Sequence, residues 1–169
     1  MWHDAAMGRR AATGRWLALG AATVGVLDIA YAMTFHWLRS HVPPLRILQS
    51  IAAGLLGRDA ASHGGIATGL LGLALHFFIA TVITVVFHAA ASRWPALLRR
   101  PWLSGACYGV GVWAVMNFVV IPLSRIGPRP LVPVVAISGL LVHVACIGWP
   151  IAWASRRAAR LPQRATTRA

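Results

Sequence analysis

Four apolar runs, each about as long as a lipid bilayer is thick, constrain this chain more than any other feature. They cover residues 16–38, 66–91, 102–124 and 131–153. An α-helix rises about 1.5 Å per residue, so roughly 20 residues cross about 30 Å of hydrocarbon. Asp28 is the one formally charged residue inside any run. The composition agrees: 58% of the residues are hydrophobic and 11% charged, against roughly 45–50% and about 25% in soluble domains. A soluble fold of 169 residues has no interior large enough to hide that excess, whereas lipid accepts it. The expected fold is an all-α four-helix transmembrane bundle, one integral membrane domain over residues 1–169. Trp16, Trp37, Trp94, Trp102, Trp149 and Trp153 fall near the ends of the runs, where indole rings prefer to sit.

The charge is lopsided. Every basic residue is arginine, the three acidic residues are aspartates, and the net charge is +13. A nucleic-acid surface would gather such charge into a stripe or patch. Here the arginines stand in short clusters between apolar runs, as charges excluded from hydrocarbon do, so nucleic acid is not expected as a partner. With four spans, Arg9, Arg10, Arg15, Arg93, Arg99, Arg100 and the five arginines of the tail share one side, eleven in all. Arg39, Arg46, Arg58, Arg125 and Arg129 occupy the other. The positive-inside rule then puts both termini in the cytoplasm. The basic tail, 154–169, is expected to rest Arg156, Arg157 and Arg160 on anionic lipid headgroups. A signal peptide is the competing reading of the first run, with Ala30-Tyr31-Ala32 as a small-residue cleavage site. The run continues past that site and contains Asp28, which favours a retained span.

The first loop is the long one. Pro43-Pro44 opens it, and Leu45, Leu48, Ala52, Leu55 and Leu56 recur at helical spacing, with Arg46, Gln49 and Ser50 between them. Such a segment is too short to span. It reads as an amphipathic helix on the outer surface or folded back on the bundle, a cap rather than a gate. Pro122, Pro128, Pro130 and Pro133 bracket a tight turn between the third and fourth spans, and Pro150 is placed to kink the fourth.

Spans pack through small residues in lipid. Ala21, Gly25, Asp28 and Ala32 share a face of the first span; Gly65, Gly69, Gly72 and His76 share one on the second. Ala136, Gly139, His143, Cys146 and Pro150 do so on the fourth. The third offers Gly105 and Gly109, which suit either the monomer core or a homo-oligomer, with Asn117 beyond. Asp28, His76, Asn117 and His143 thus contribute one polar side chain per span at similar depth. Placing a charge there costs roughly 2.5–3.5 kcal/mol on insertion scales, so the layer needs a reason. Four remain open: structural glue between helices, a proton or small-ion path, bis-histidine ligation of haem b by His76 and His143, and a metal site of Asp28, His76 and His143. His36, His41 and His63 form a weaker outer candidate for a metal. Cys107 and Cys146 read as small packing residues rather than a disulfide. No phosphate loop, carboxylate pair or nucleophile elbow is present, so an enzyme is not expected.

Three stretches resemble a known group. These are Gly25-Val26-Leu27-Asp28-Ile29-Ala30-Tyr31-Ala32, Leu48-Gln49-Ser50-Ile51-Ala52-Ala53-Gly54-Leu55-Leu56-Gly57 and Gly72-Leu73-Ala74-Leu75-His76-Phe77. They are similar to small, uncharacterised bacterial inner-membrane proteins with four predicted spans. The resemblance implies an inner-membrane location and brings neither an activity nor functional residues.

Overall fold

A computed structural model describes the backbone of residues 2–160 and the side chains from residue 11 onward. Among the described residues there is no strand. Six α-helices follow in order, α1 Trp2–Ser40, α2 Pro44–Leu56, α3 Arg58–His63, α4 Gly65–Arg93, α5 Pro101–Leu123 and α6 Pro133–Arg160, with a short 3-10 helix at Pro95–Leu98 between α4 and α5. Four of them are long and apolar enough to cross a membrane: α1 from Ala11, then α4, α5 and α6, with 30, 29, 23 and 28 residues. The expected bundle is therefore present. One boundary moves: α6 runs on to Arg160, so Arg156, Arg157 and Arg160 ride on a helix rather than a loose tail. Residues 161–169, with Arg164 and Arg168, lie outside the described residues.

The first residues of the α1 span and the last turns of α6 meet at one end of the bundle, hereafter the tail end. There α1, α4 and α6 share a core of Val24, Ala80, Phe87, Ala91, Ile147, Ile151 and Ala152. Small residues permit the approach: a Cβ on Gly20 would stand 2.8 Å from that of Ala154. Thr84 is fully buried in this core and returns its hydroxyl to the Ala80 carbonyl at 2.8 Å, the usual way a hydroxyl is tolerated inside a helix bundle. Leu19, Phe78, Ile137 and Leu141 point outward. Lipid rather than water is the medium that suits such a surface.

α5 attaches to α6 backbone to backbone. A Cβ on Gly109 would run into the His143 carbonyl, and one on Gly148 would run into the Gly105 carbonyl. The glycine pair that suited an oligomer is therefore spent inside the monomer. α5 also touches α4, where Tyr108 donates its hydroxyl to the Ile83 carbonyl at 2.6 Å and its ring packs on Phe87.

Both α5 and α6 contain a wide π turn, at Met116–Val120 and His143–Gly148. The cause lies just downstream in each case. Pro122 and Pro150 have no N–H, and their rings crowd the carbonyl four residues earlier. The N–H groups before them shift register by one residue: Ile121 bonds to Met116 and Trp149 to Val144. The structure thus accommodates Pro150, expected to kink the helix, by widening a turn.

The glycine contacts can be tested by size. Gly109→Val should destabilise the purified protein by about 1–3 kcal/mol, the usual cost of overpacking. Gly111→Val, on the same helix with nothing within 4 Å, should be nearly neutral. Thermal melts in mild detergent read the difference; equal losses would contradict the α5–α6 contact.

Candidate functional site

At the end opposite the tail, α2 and α3 fold back on the bundle. α1 stops at His41, whose left-handed backbone (φ 52°) lets the following N–H, of Val42, reach back to the His36 carbonyl at 3.3 Å. Pro44 then starts α2 with φ preset for a helix, and Gly57 at φ 88° ends it. α2 lies against α4. A Cβ on Gly72 would collide with the Leu48 carbonyl, and one on Gly69 would press on Leu45 at 2.5 Å. The small face of the second span therefore receives a surface helix, where the expectation was span against span. Ala52 and Ala53 of α2 are buried.

Polar groups fix this cap. Gln49 is 4% exposed. Its amide donates to the Gly65 carbonyl at 3.0 Å and to Thr68 Oγ1 at 3.4 Å. Its oxygen accepts from Arg46 Nη1 at 3.3 Å, and the same nitrogen donates to the Ser62 carbonyl at 3.1 Å. The turn after α5 is clasped as well. Arg125 N–H donates to the Gly54 carbonyl at 3.0 Å, and Arg58 donates to the Ile126 carbonyl at 3.4 Å.

Under the cap, between α2, the upper halves of α4 and α5 and the turn at 126–130, is an open cleft of about 1070 Å³. Leu75, Phe78 and Ile79 of α4 and Met116, Val120 and Ile121 of α5 form its apolar walls. Arg46, Arg58 and Arg129 stand among its lining residues, and no carboxylate does. Sequence reasoning saw the polar stripe Arg46, Gln49 and Ser50 but read α2 as a plain cap. The signal was the set of arginines on the side that the charge bias disfavours.

The four polar residues at mid-depth are not strung together. His76 Nε2 donates to the Gly25 carbonyl of α1 at 2.8 Å, and its ring stands edge-on to Phe77. A Cβ on Gly25 would meet the Phe77 ring at 2.5 Å, so that glycine is what lets α4 come near enough. His143 Nδ1 donates to Gly139, and Asn117 Nδ2 to Trp113, at 2.8 and 2.9 Å, both within their own helices. Asp28 is half-buried with no hydrogen bond or ion pair among the described residues, and its carboxylate lies within electrostatic reach of Cys146. No hydrogen bond joins any two of the four.

Among the described residues no three His, Cys, Asp or Glu side chains are placed to hold a metal ion. Neither Asp28 with His76 and His143 nor His36 with His41 and His63 is gathered into such a group. His76 and His143 turn toward backbone carbonyls instead, and His63 Nδ1 lies 3.2 Å from the Asp59 carboxylate. Both cysteines are free. No protein-family model, curated protein or solved structure matches the chain.

The clasp over the cleft predicts a cross-link. A Cβ on Gly54 would lie 3.8 Å from the Ser124 Cβ, near the mean of about 3.8 Å for disulfides. With Cys107 and Cys146 replaced by alanine, the pair Gly54→Cys and Ser124→Cys should oxidise readily and lose maleimide labelling, which each single variant keeps. Persistent labelling of the pair would mean that the turn does not dock on α2.

Proposed function

We propose that this chain is a non-catalytic, multi-pass protein of the bacterial inner membrane in which one polar residue within the spans, His76, ties two of them in register. The observation that carries this reading is the hydrogen bond from His76 to Gly25, which ties α4 to α1 in the middle of the membrane. A carbonyl can only accept, so the proton of His76 sits on Nε2. Asn117 and His143 bond within their own helices, which removes the cost of carrying polar groups through lipid. The family resemblance supports the inner-membrane location, and the arginine bias of eleven against five supports cytoplasmic termini. At the tail end the Arg157 guanidinium sits 4.1 Å over the Trp153 ring and 5.8 Å from that of Trp16. An arginine held on interfacial tryptophans belongs at headgroup depth, and with Arg156 and Arg160 it suits anionic lipid.

The haem alternative fits half of the geometry. His143 donates Nδ1–H to a carbonyl and leaves Nε2 free, the arrangement of a ligating histidine. His76 spends Nε2 on Gly25 and would have to break an interhelical bond to ligate. The structural reading therefore expects no Soret band from protein purified in mild detergent. Stoichiometric haem, lost in His76→Ala and His143→Ala, would replace it.

Asp28 favours a second reading, a proton path, because it alone of the four has no partner among the described residues. The two readings separate by substitution. His76→Ala should cost about 1–2 kcal/mol, the upper range for interhelical hydrogen bonds in membranes. Asn117→Ala and Asp28→Asn should each cost less. Proton flux into proteoliposomes should be no greater than in empty vesicles. A flux that Asp28→Asn abolishes while leaving the melting temperature unchanged would establish the path instead.

A further inference from the structure

The capped cleft is an amphipathic compartment, and its two halves lie at different membrane depths. Arg46, Arg58 and Arg129 belong to the α2–α3 cap and the turn before α6, beyond the ends of the spans, the level at which four spanning helices put lipid headgroups. The apolar walls descend from there. Met116 is seven residues below the end of α5 and Ile79 is fourteen below the start of α4, so the walls reach about 10–20 Å into the hydrocarbon. Phe78, 64% exposed, and Leu55 stand at the rim, so the compartment is open to neighbouring lipid rather than sealed.

The arginines are not there to neutralise protein acids. Asp59 is the single carboxylate on this side of the chain; it pairs with His63 and does not line the cleft. Backbone carbonyls orient Arg46 and Arg58 but leave their charge in place. Arg129 makes no hydrogen bond among the described residues, and its charge reaches His36 at the end of α1. Gln49, nearly fully buried, spends its oxygen on Arg46 and so holds that guanidinium in one orientation. Fixed guanidinium groups are the usual receptors for phosphate oxygens. The volume of about 1070 Å³ stands at the upper end of the range for ligand sites, roughly 300–1,000 Å³. The π turn Met116–Val120 lends Met116 and Val120 to the wall, and such turns collect at functional sites.

We infer that the cleft binds one anionic phospholipid, its phosphate between Arg46, Arg58 and Arg129 and an acyl chain against Leu75, Phe78, Ile79 and Met116. Charge complementarity selects the headgroup, and the apolar walls select a lipid over a soluble phosphate. This site lies at the opposite end of the bundle from the arginines of α6.

Native mass spectrometry of the full chain, released from detergent with added lipid, tests the assignment. Phosphatidylglycerol should be retained at one tightly held equivalent per chain, phosphatidylcholine more weakly, and inorganic phosphate at millimolar concentration should not displace the lipid. Arg46→Gln with Arg129→Gln should weaken retention about tenfold or more, as expected when charge-assisted contacts are lost. Ile79→Trp, which fills the chain compartment and leaves every arginine, should weaken it as well. Arg156→Gln with Arg157→Gln should not. The Gly54→Cys and Ser124→Cys cross-link, formed in each variant background, shows that the cap is still folded. Three results would overturn the inference: equal retention by the Arg46/Arg129 variant with its cap cross-linked, displacement of the lipid by inorganic phosphate, or a dimer that excludes lipid from the cleft.

Discussion

The contact between Gly72 of α4 and the backbone of α2 at Leu48 sets much of the architecture at the capped end. Two helices can approach this closely only where one has no side chain, and in lipid such approach replaces the hydrophobic effect as the source of attraction between them. Once α2 is seated there, Gln49 comes within reach of Gly65 and Thr68, and Arg46 within reach of Gln49. The turn after α5 then finds Gly54 and Leu56 to bond to. The cleft lies between α2, seated in this way, and the walls of α4 and α5.

The same economy appears between α5 and α6, with an added cause. Gly105, Gly109 and Gly148 bring two backbones together at the π turn that begins at His143. That turn is there because Pro150 cannot donate a hydrogen bond. A proline downstream, a widened turn and a glycine on the neighbouring helix form one device. Its counterpart on α5, before Pro122, widens the wall of the cleft at Met116 and Val120. Neither proline breaks its helix, since the freed carbonyls are re-served by a shift of register within it.

The mid-membrane polar residues illustrate why depth and facing do not determine pairing. Asp28, His76, Asn117 and His143 are expected at similar depth from their spacing, yet among the described residues each finds its partner separately or not at all. A backbone carbonyl on the next helix captures His76, and carbonyls four residues back in the same helix capture Asn117 and His143. Those acceptors exist at every turn of every helix. A side chain of this length reaches them before it reaches a polar side chain on another span.

The hydrophobic sequence by itself determined the number of spans, their rough limits and the all-α class, because a chain in lipid must satisfy its backbone within each segment. Periodicity placed a short helix at Pro44–Leu56 and small faces on the spans. It did not reveal what each face would meet: Gly69 and Gly72 took α2, Gly105 and Gly109 took α6, and Gly25 took Phe77 and His76. Glycine states only that something comes close, and carries no side chain to say what. The cleft was likewise illegible, since its arginines come from α2, α3 and a turn some seventy to eighty residues later in the chain. Tertiary structure alone brings them over one set of apolar walls, because the contacts of α2 with α4 and with the turn after α5 fold the cap down onto the bundle.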